Sequence, residues 1–191
     1  KVDYSPVFDF EYYINRYADV KAAYSNDEEG ALAHFINFGM KEKRQGNAEF
    51  NVVSYKNRYQ DLRKMYEDDY RQYYFHYIYF GKNEGRKATG DIKQTPVTVY
   101  EGRDYSDVYN YDFYMNRQAD LRDTYSDNDV GALRHFVNFG MAEGRQASEE
   151  FNVFSYKNRY PDIRKAYGND LKTYYIHYIT MGKKEGRIAT G

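Results

Sequence analysis

Three kinds of residue that could do chemistry recur at a fixed spacing along this chain. Each of four similar stretches holds one histidine, an aspartate followed later by a glutamate, and several tyrosines near lysine or arginine. The stretches are residues 13–44, 55–86, 114–145 and 156–187. Corresponding residues lie 42 positions apart within each pair of stretches, and the second pair repeats the first after a shift of 101. This self-similarity predicts a tandem-repeat protein that presents the same small site several times.

The histidines do not predict a metal site. They stand one to a repeat, with no second histidine or cysteine one helical turn away, at His34, His76, His135 and His177. A zinc site needs three or four converging ligands, and this pattern does not supply them. We therefore expect a hydrogen-bonded structural histidine in each repeat, and neither a metal nor another cofactor.

The repeated carboxylates do not predict catalysis. A glycoside hydrolase needs two carboxylates in unlike environments, whereas Asp19 and Glu42 recur unchanged in all four repeats. We expect them to cap helices and to form ion pairs with a recurring arginine, at Arg16, Arg58, Arg117 and Arg159. The chain has no GxSxG nucleophile motif and no GxxxxGK[ST] phosphate loop. No catalytic residue is assigned, and the chain is not predicted to be an enzyme.

The tyrosines are the abnormal feature of the composition, with 25 Tyr, 12 Phe and no Trp. Tyrosine supplies a large apolar ring with a polar tip, so it can fill a thin core or form an exposed ligand platform. Positions that are aromatic in all four repeats predict core residues. They include Tyr13, Tyr24 and Phe35 with their counterparts Tyr55, Tyr66, Tyr77, Tyr114, Tyr125, Phe136, Tyr156, Tyr167 and Tyr178.

Other aromatic positions differ between repeats, and these are the candidates for binding. Tyr73 and Tyr174 stand where the first and third repeats have Ala31 and Ala132. Such a position either fills a gap between repeats or forms an exposed platform. Tyr74 and Tyr175 replace leucines and are expected to be packed. Tyr59 and Tyr160 correspond to Tyr17, whereas the third repeat has Gln118 at this position. Cations that are identical in both halves lie nearby in the sequence, at Lys56, Arg63, Lys64, Lys157, Arg164 and Lys165.

An aromatic ring beside polar and charged groups suits a sugar, because a pyranose has apolar C–H faces and hydroxyls that exchange hydrogen bonds. Each contact is weak, and duplicated sites gain affinity for a polymer through effective concentration. The candidate carbohydrate-binding residues are Tyr59, Tyr73, Lys56 and Arg63 in the first half and Tyr160, Tyr174, Lys157 and Arg164 in the second.

The elements that position these residues are predicted to be helices. Tyr13, Tyr17, Val20 and Tyr24 form one helical stripe, and helix N-cap residues precede the stripe in each repeat, at Asp9, Asn51, Asn110 and Asn152. Pro161 predicts a bend in the first helical stretch. A second helix is expected at about 28–38, 70–80, 129–139 and 171–181, ended by a left-handed cap at Gly39, Gly81, Gly140 and Gly182.

The predicted fold is therefore all-α, with four tandem repeats of ~42 residues arranged as two homologous pairs. The pairs are residues 1–90 and 108–191, and residues 91–107 form a linker that contains a β-branched run at Val97–Val99. The net charge of −1 does not suggest a nucleic-acid binder, and no apolar stretch could span a bilayer. The chain starts without Met or a signal peptide, so we expect an excised fragment of a larger protein.

The repeated pattern, written YYxxRYPDL…ALxHFxxxGxxEGRQAS…FNVxSYKNRYxDLR…YYxHYIxxGxxEGR, resembles a tyrosine-rich helical repeat of secreted multidomain proteins in Gram-positive gut anaerobes. It is also similar to the repeat-built starch-binding domain of starch adherence system (amylosome) proteins. The resemblance covers nearly the whole chain outside 91–107. Lys43 in place of the glycine of EGR, and Gln118 in place of tyrosine, depart from it.

The resemblance implies a non-catalytic carbohydrate-binding module that is secreted and associated with the cell surface. Its expected partners are polysaccharides, namely starch, amylopectin and maltooligosaccharides, and it would act within a larger multidomain protein. The alternative function is a cell-wall or protein-interaction spacer in which all the tyrosines are packed. The two functions differ in whether Tyr73 and Tyr174 are exposed.

Overall fold

The computed structural model describes residues 1–191 and contains two compact units, Lys1–Thr95 and Pro96–Gly191. Short helices dominate both units, and the only sheet is a two-stranded ribbon. The predicted all-α class is therefore confirmed. No helix combines the length and the apolar character that crossing a bilayer requires.

Each unit contains six α-helices, all of them seven residues long. In the first unit they are Phe10–Arg16 (α1), Ala18–Tyr24 (α2), Glu28–His34 (α3), Val52–Arg58 (α4), Gln60–Tyr66 (α5) and Tyr70–His76 (α6). In the second they are Tyr111–Arg117 (α7), Ala119–Tyr125 (α8), Asp129–His135 (α9), Val153–Arg159 (α10), Pro161–Tyr167 (α11) and Leu171–His177 (α12). Every third helix continues directly into a π-helical segment, at Phe35–Gly39, Tyr77–Gly81, Phe136–Gly140 and Tyr178–Gly182 (π1–π4).

The segment 91–107 contributes to both units. Asn57 and Arg63 donate hydrogen bonds to the carbonyl oxygens of Ile92 and Thr95, at 2.8 Å each, so the start of the segment packs on the first unit. Val97 is buried in the core of the second unit. The β-branched run enters an antiparallel ribbon, in which Val99–Tyr100 (β1) pairs with Arg103–Asp104 (β2).

The first helix of each set begins as the sequence predicts, with a short polar side chain that accepts backbone N–H groups. Asp9 accepts from Tyr12 at 2.8 Å, and Asn51, Asn110 and Asn152 do the same at α4, α7 and α10. The N–H of each cap residue also donates to a carbonyl far along the chain, as from Asn51 to Ala88 at 2.7 Å. The cap therefore starts the helix and joins its first residue to the chain that follows the π segment.

The predicted bend is a full break between two helices. Tyr17 has extended dihedral angles, φ −120° and ψ 107°, between α1 and α2, and Tyr59 and Tyr160 behave alike. Pro161 is the first residue of α11, where its missing N–H costs no hydrogen bond. The break turns α2 and its equivalents away from the first helix, which leaves α1 free to pack on α3.

The glycines at the ends of the π segments were predicted to be left-handed caps, and this is wrong. Gly39 has no positive φ, and a Cβ on it would lie 2.5 Å from the Tyr13 hydroxyl, so glycine is needed here because another side chain passes close by. The left-handed residue comes four positions later. It is Gly85, Gly144 or Gly186 in three repeats, with φ of 71–74°, and Lys43 with φ 63° in the first.

The predicted core positions are buried in both units, with one exception. Tyr13, Phe35 and Tyr74 pack with Tyr55 in the first core, and their equivalents occupy the second at Tyr114, Phe136, Tyr175 and Tyr156. The exception is the position of Tyr24, Tyr66, Tyr125 and Tyr167, which is only half-buried. These half-buried rings leave one face at the surface beside the histidine of the same repeat.

One core tyrosine has a hydroxyl without a hydrogen-bond partner, and it generates a prediction. Tyr109 is buried, its Oη has no partner, and the equivalent residue in the first unit is Phe8. Because an unsatisfied buried hydroxyl costs about 1–3 kcal/mol, Tyr109→Phe should raise the free energy of unfolding by roughly 1 kcal/mol or more in urea titrations. The matched control, Tyr175→Phe, removes a hydroxyl that does donate, to Arg145 O at 2.6 Å, and should lower stability by about 0.5–1.5 kcal/mol. A destabilised Tyr109→Phe variant would contradict this account of the core.

Candidate functional site

Tyr73 and Tyr174, the two variable tyrosines assigned to carbohydrate binding, are buried, so their assignment to the site is wrong. Tyr73 and Tyr174 are both 0 % exposed. Their hydroxyls donate to backbone carbonyls, from Tyr73 to Glu67 O and from Tyr174 to Gly168 O, each at 2.6 Å. A ring without accessible surface cannot stack on a sugar, so neither residue belongs to a surface site in this fold.

Where tyrosine replaces alanine at this position, the turn after the second helix differs, but the burial of the residue does not. Ala31 and Ala132 are buried as completely as the tyrosines. In their repeats the residue after the second helix is helical, with φ −57° at Ser25, whereas Glu67 and Gly168 have φ of 51° and 59°. The left-handed residue supplies the carbonyl to which the tyrosine hydroxyl donates. One core position is therefore filled in two ways, by alanine with a helical turn or by tyrosine with a left-handed one. The change of residue type at this position does not indicate that the side chain is exposed.

The predicted hydrogen-bonding cations of the first unit are also engaged inside the fold. Arg63 is buried, and its guanidinium donates to the carbonyl oxygens of Lys56, Asn57 and Thr95 at 2.8–3.0 Å. Lys56 is buried as well, with its Nζ 5.2 Å from the centre of the Tyr70 ring. Arg63 thus closes the end of α4 and holds the segment that follows the first unit's last helix.

In the second unit the equivalent cations are half-buried. Arg164 donates to Lys157 O at 2.8 Å and to Asn158 O at 2.6 Å. Lys157 donates to Asn169 Oδ1 at 3.0 Å, and its Nζ lies 6.0 Å from the centre of the Tyr174 ring. Both cations thus already have hydrogen-bond partners within the chain.

Tyr59 and Tyr160 are half-buried, and each ring is covered by an arginine. The Tyr59 hydroxyl accepts from Lys87 N at 2.6 Å, and the Arg86 guanidinium lies 4.8 Å from the ring centre. Arg86 binds Asp61 with two parallel hydrogen bonds of 2.9–3.0 Å and Glu84 with a third of 2.7 Å. We call this arrangement the arginine clasp. Its arginines are Arg44, Arg86, Arg145 and Arg187.

The clasp corrects the predicted ion pairs. The repeated aspartates and glutamates were expected to pair with Arg16, Arg58, Arg117 and Arg159, but they pair with the arginine of the EGR motif. The left-handed turn at Gly85 and its equivalents places that arginine beside the second helix. Hydrogen bonds from Arg44 lower the pKa of Asp19 to about 2, and Arg187 does the same for Asp162.

The histidines are hydrogen-bonded structural residues, as predicted. His76 Nδ1 and the Tyr55 hydroxyl share a hydrogen bond of 2.8 Å. The same bond joins Tyr13 to His34, Tyr114 to His135 and Tyr156 to His177 at 2.7–3.0 Å. No three histidine, aspartate or glutamate side chains converge as metal ligands would.

The most exposed recurring aromatic position is one that the sequence reasoning did not select. Phe38, Phe80 and Phe139 are 56 %, 56 % and 58 % exposed, and Met181 occupies the same place in the fourth repeat. Each phenylalanine packs on the histidine four residues earlier, with ring centres 5.6–5.7 Å apart. We call Phe38, Phe80 and Phe139 the histidine-packed rings. The sequence spacing does not mark them, because residues three apart share a face of an α-helix, and these rings lie in the π-helical segments that the sequence did not predict.

The first unit has a larger aromatic surface than the second. Tyr79 is 52 % exposed, its ring lies 6.2 Å from that of Phe75 with an interplanar angle of 18°, and Phe80 follows it. The Arg71 guanidinium lies 5.5 Å from the centre of the Phe75 ring. The second unit has Ile176 and Thr180 in place of Phe75 and Tyr79. The two units are therefore alike in their cores and in their histidine-packed rings, but not along this face.

An acceptor follows each histidine-packed ring by one helical turn. Glu42 N donates to Phe38 O, and Glu84 N to Phe80 O, at 3.0 Å. One carboxylate oxygen of each glutamate is held by the arginine clasp, and the side chain stays about half exposed. The ring and the carboxylate together offer an apolar face beside a fixed hydrogen-bond acceptor.

Comparison with known proteins identifies no relative: no protein-family model, no curated protein sequence and no solved structure matches this chain.

The burial of Tyr73 generates a stability prediction. Tyr73→Ala should cost roughly 3–5 kcal/mol, because it removes a fully buried ring from the core. Tyr79→Ala removes an exposed ring from the same helical segment and should change stability by no more than about 0.5 kcal/mol. Urea unfolding of both variants tests the difference. Equal unfolding midpoints would show that Tyr73 is not a packing residue.

The histidines generate a prediction of pH dependence. Burial lowers the pKa of His76, His135 and His177 below the ordinary 6.5, and a nearby arginine adds to the effect. A folded-state pKa below the unfolded value means that the neutral ring stabilises the fold. This contribution is complete above pH 6.5 and is lost progressively as the pH falls below that value. Titration of the histidine ring protons by NMR should give three midpoints under 6.5, and midpoints above it would contradict the prediction.

Proposed function

We propose that this protein is a non-catalytic carbohydrate-binding module that binds starch-type α-glucan through the histidine-packed rings. The observation that supports this most is a phenylalanine, more than half exposed, at the same place in three of the four repeats. Single exposed apolar residues are ordinary on protein surfaces, but recurrence at one position is not explained by chance exposure. The proposed site therefore differs from the one predicted at Tyr59, Tyr73, Tyr160 and Tyr174. It lies in the π-helical segments that follow the third helices.

The chemistry of these rings suits a sugar better than a charged or a purely apolar ligand. A phenylalanine offers one apolar face to the C–H groups of a pyranose, and its other contacts hold the ring against a histidine. That histidine is in turn fixed by the Tyr55 hydroxyl or its equivalent. A ring that is already immobilised loses little conformational entropy on binding. The glutamate one turn later, such as Glu84, supplies an acceptor for a sugar hydroxyl.

The repeated arrangement supports a polymeric ligand. We infer that the chain is built from four tandem repeats in two homologous pairs, since the same three helices and π segment follow one another at a spacing of 42 residues. Phe38 and Phe80 belong to the first unit and Phe139 to the second. A long glucan that meets more than one ring gains affinity through effective concentration, without any single strong contact.

The alternative function, a spacer that binds a cell wall or a partner protein, also has an observation in its favour. It requires the tyrosines to be packed, and Tyr73 and Tyr174 are buried. The exposed rings also fit a spacer that binds peptidoglycan or a partner protein through them. The ligand of the rings, rather than their exposure, therefore distinguishes the two functions.

The cellular setting of the proposal comes from the resemblance of the repeats to starch adherence system proteins. A secreted, cell-surface location, a larger multidomain protein and an amylosome-type complex are parts of this proposal. No cofactor and no nucleic acid enters it. The expected polysaccharide partners are starch, amylopectin and maltooligosaccharides.

The proposal predicts how the two units share a polymer. Phe80→Ala and Phe139→Ala should each weaken retention on an amylopectin affinity gel by a few-fold, because two of the three rings still bind. The double variant leaves Phe38 as the last histidine-packed ring and should lose more than the product of the two effects, since avidity gains of roughly 10²–10⁴ depend on two sites. Melting temperatures should stay unchanged, because both rings are exposed, and wild-type protein should release no reducing sugar.

The matched control is Met65→Ala, which removes an exposed apolar side chain from α5. It should bind amylopectin as the wild type does. Wild-type retention by the double phenylalanine variant would contradict the assignment of the rings. Retention on peptidoglycan and not on starch would favour the alternative function, and release of reducing sugar would contradict a non-catalytic role.

A further inference from the structure

The second unit has a cavity, open to solvent, whose lining does not include the histidine-packed ring Phe139. It has a volume of about 340 Å³ and lies between the end of α11 and one face of α12. Its lining residues are Tyr167, Asp170, Lys172, Thr173, Ile176, His177 and Thr180. The volume falls at the small end of the range of about 300–1,000 Å³ for ligand pockets.

The first unit has two aromatic side chains where the cavity has small ones. Phe75 and Tyr79 stack on each other there, and Tyr4 packs against Phe75 with ring centres 6.2 Å apart. Ile176 and Thr180 replace these rings in the second unit. The replacement removes two ring-sized groups from one helix face, while the backbone of α12 and π4 repeats that of α6 and π2. The vacated space therefore suits a ligand about as large as a ring or two.

The lining combines an apolar wall with donors and acceptors. Tyr167 and Ile176 supply the wall. The Asp170 carboxylate makes no capping hydrogen bond to α12, and the Lys172 ammonium makes no ion pair within the chain. Thr173 and Thr180 donate their hydroxyls to the carbonyl oxygens of Asp170 and Ile176, at 2.6 Å and 2.8 Å, so their oxygens can still accept.

The charges of the cavity favour a neutral ligand. One ammonium and one carboxylate cancel, so neither an anion nor a cation finds a net attraction. A planar apolar ligand would cover Lys172 and Asp170 without giving them partners, and burying a charge unpaired is costly. A pyranose avoids this cost, because its C–H face meets the wall and its hydroxyls both donate and accept.

We propose that this cavity is a binding site for one or two α-linked glucosyl residues, separate from the histidine-packed ring at Phe139. The proposal deepens the proposed function and rests on it for the choice of sugar. It makes the two units different in kind. The first unit presents an extended aromatic face that holds a chain along its length, and the second adds an open pocket that takes a short stretch of glucan.

The test fills the cavity with the rings that the first unit carries. The double variant Ile176→Phe, Thr180→Tyr should keep its melting temperature, because the first unit accepts these residues on the same helix face. It should bind maltose at least ~10-fold more weakly than wild type in isothermal titration, a loss of about 1.4 kcal/mol. The converse variant, Phe75→Ile with Tyr79→Thr, should raise the number of bound maltose molecules by up to one over the wild type.

A methyl resonance reports the location directly. Maltose should shift the methyl signals of Ile176 in the NMR spectrum of the wild type, while cellobiose, with its β-linkage, should shift them less. If the filled variant does not fold, Lys172→Met and Asp170→Asn take its place, and each should weaken maltose binding. Unchanged maltose affinity in the filled variant, or in both of these substitutes, would overturn the proposal, as would equal binding of cellobiose.

The outcomes separate this proposal from the proposed function. Retention on amylopectin without any shift of Ile176 would overturn the pocket and leave the proposed function intact. A shift of Ile176 by maltose without retention on amylopectin would support the pocket and overturn binding through the histidine-packed rings. Absence of both effects in the wild type would overturn both.

Discussion

The hydrogen bond between a first-helix tyrosine and a third-helix histidine is the constraint on which each repeat depends. Tyr55 and His76 show what it fixes. The bond is buried, and although its net contribution is only about 0.5–1.5 kcal/mol, leaving either partner unsatisfied would cost about 1–3 kcal/mol. It sets the distance between α4 and α6, requires a residue without a side chain at Gly81, and holds the histidine ring on which Phe80 packs. A hydrogen bond in the core thus fixes the histidine against which the exposed Phe80 packs.

The arginine clasp is the second important interaction. It is needed because the tyrosine–histidine hydrogen bond joins only the first and third helices and does not contact the short middle helix. Helices of seven residues are too short to be stable alone, and α5 contributes few buried residues, chiefly Leu62 and Arg63. Arg86 joins Asp61 on this helix to Glu84 beyond π2 and covers Tyr59 between them. An exposed ion pair is worth little, yet a bidentate geometry combined with a ring contact belongs to the stronger cases. In the third repeat Gln118 replaces the tyrosine and accepts from Arg145 instead, at 3.0 Å, so the clasp persists without the ring.

Much of the fold could be predicted from the sequence, because its signals are local. Asp9 and Asn51 mark helix starts through their side-chain oxygens, and Pro161 marks a break through its missing N–H. The clasp partners and the true role of Gly39 could not be predicted, since each depends on a residue distant in sequence. The candidate site was predicted less well. Tyr73 varies between repeats because the turn at Glu67 varies with it, and a single sequence does not distinguish a coupled core change from an exposed position.

Many of the tyrosines are core residues, so their abundance does not by itself indicate a ligand. A small core cannot bury both ends of a long side chain in apolar surroundings, and a tyrosine solves this by carrying its own hydrogen-bond donor to a backbone carbonyl. Tyr73, Tyr74 and Tyr175 all do so at 2.6 Å, to Glu67, Arg44 and Arg145. A residue used in this way is unavailable for binding. The recurring exposed rings are phenylalanines, which have no hydroxyl to satisfy and whose contact with a histidine leaves more than half of each side chain exposed. In a tyrosine-built core, the aromatic residue that lacks a hydroxyl and recurs outside the core is therefore the better sign of a ligand.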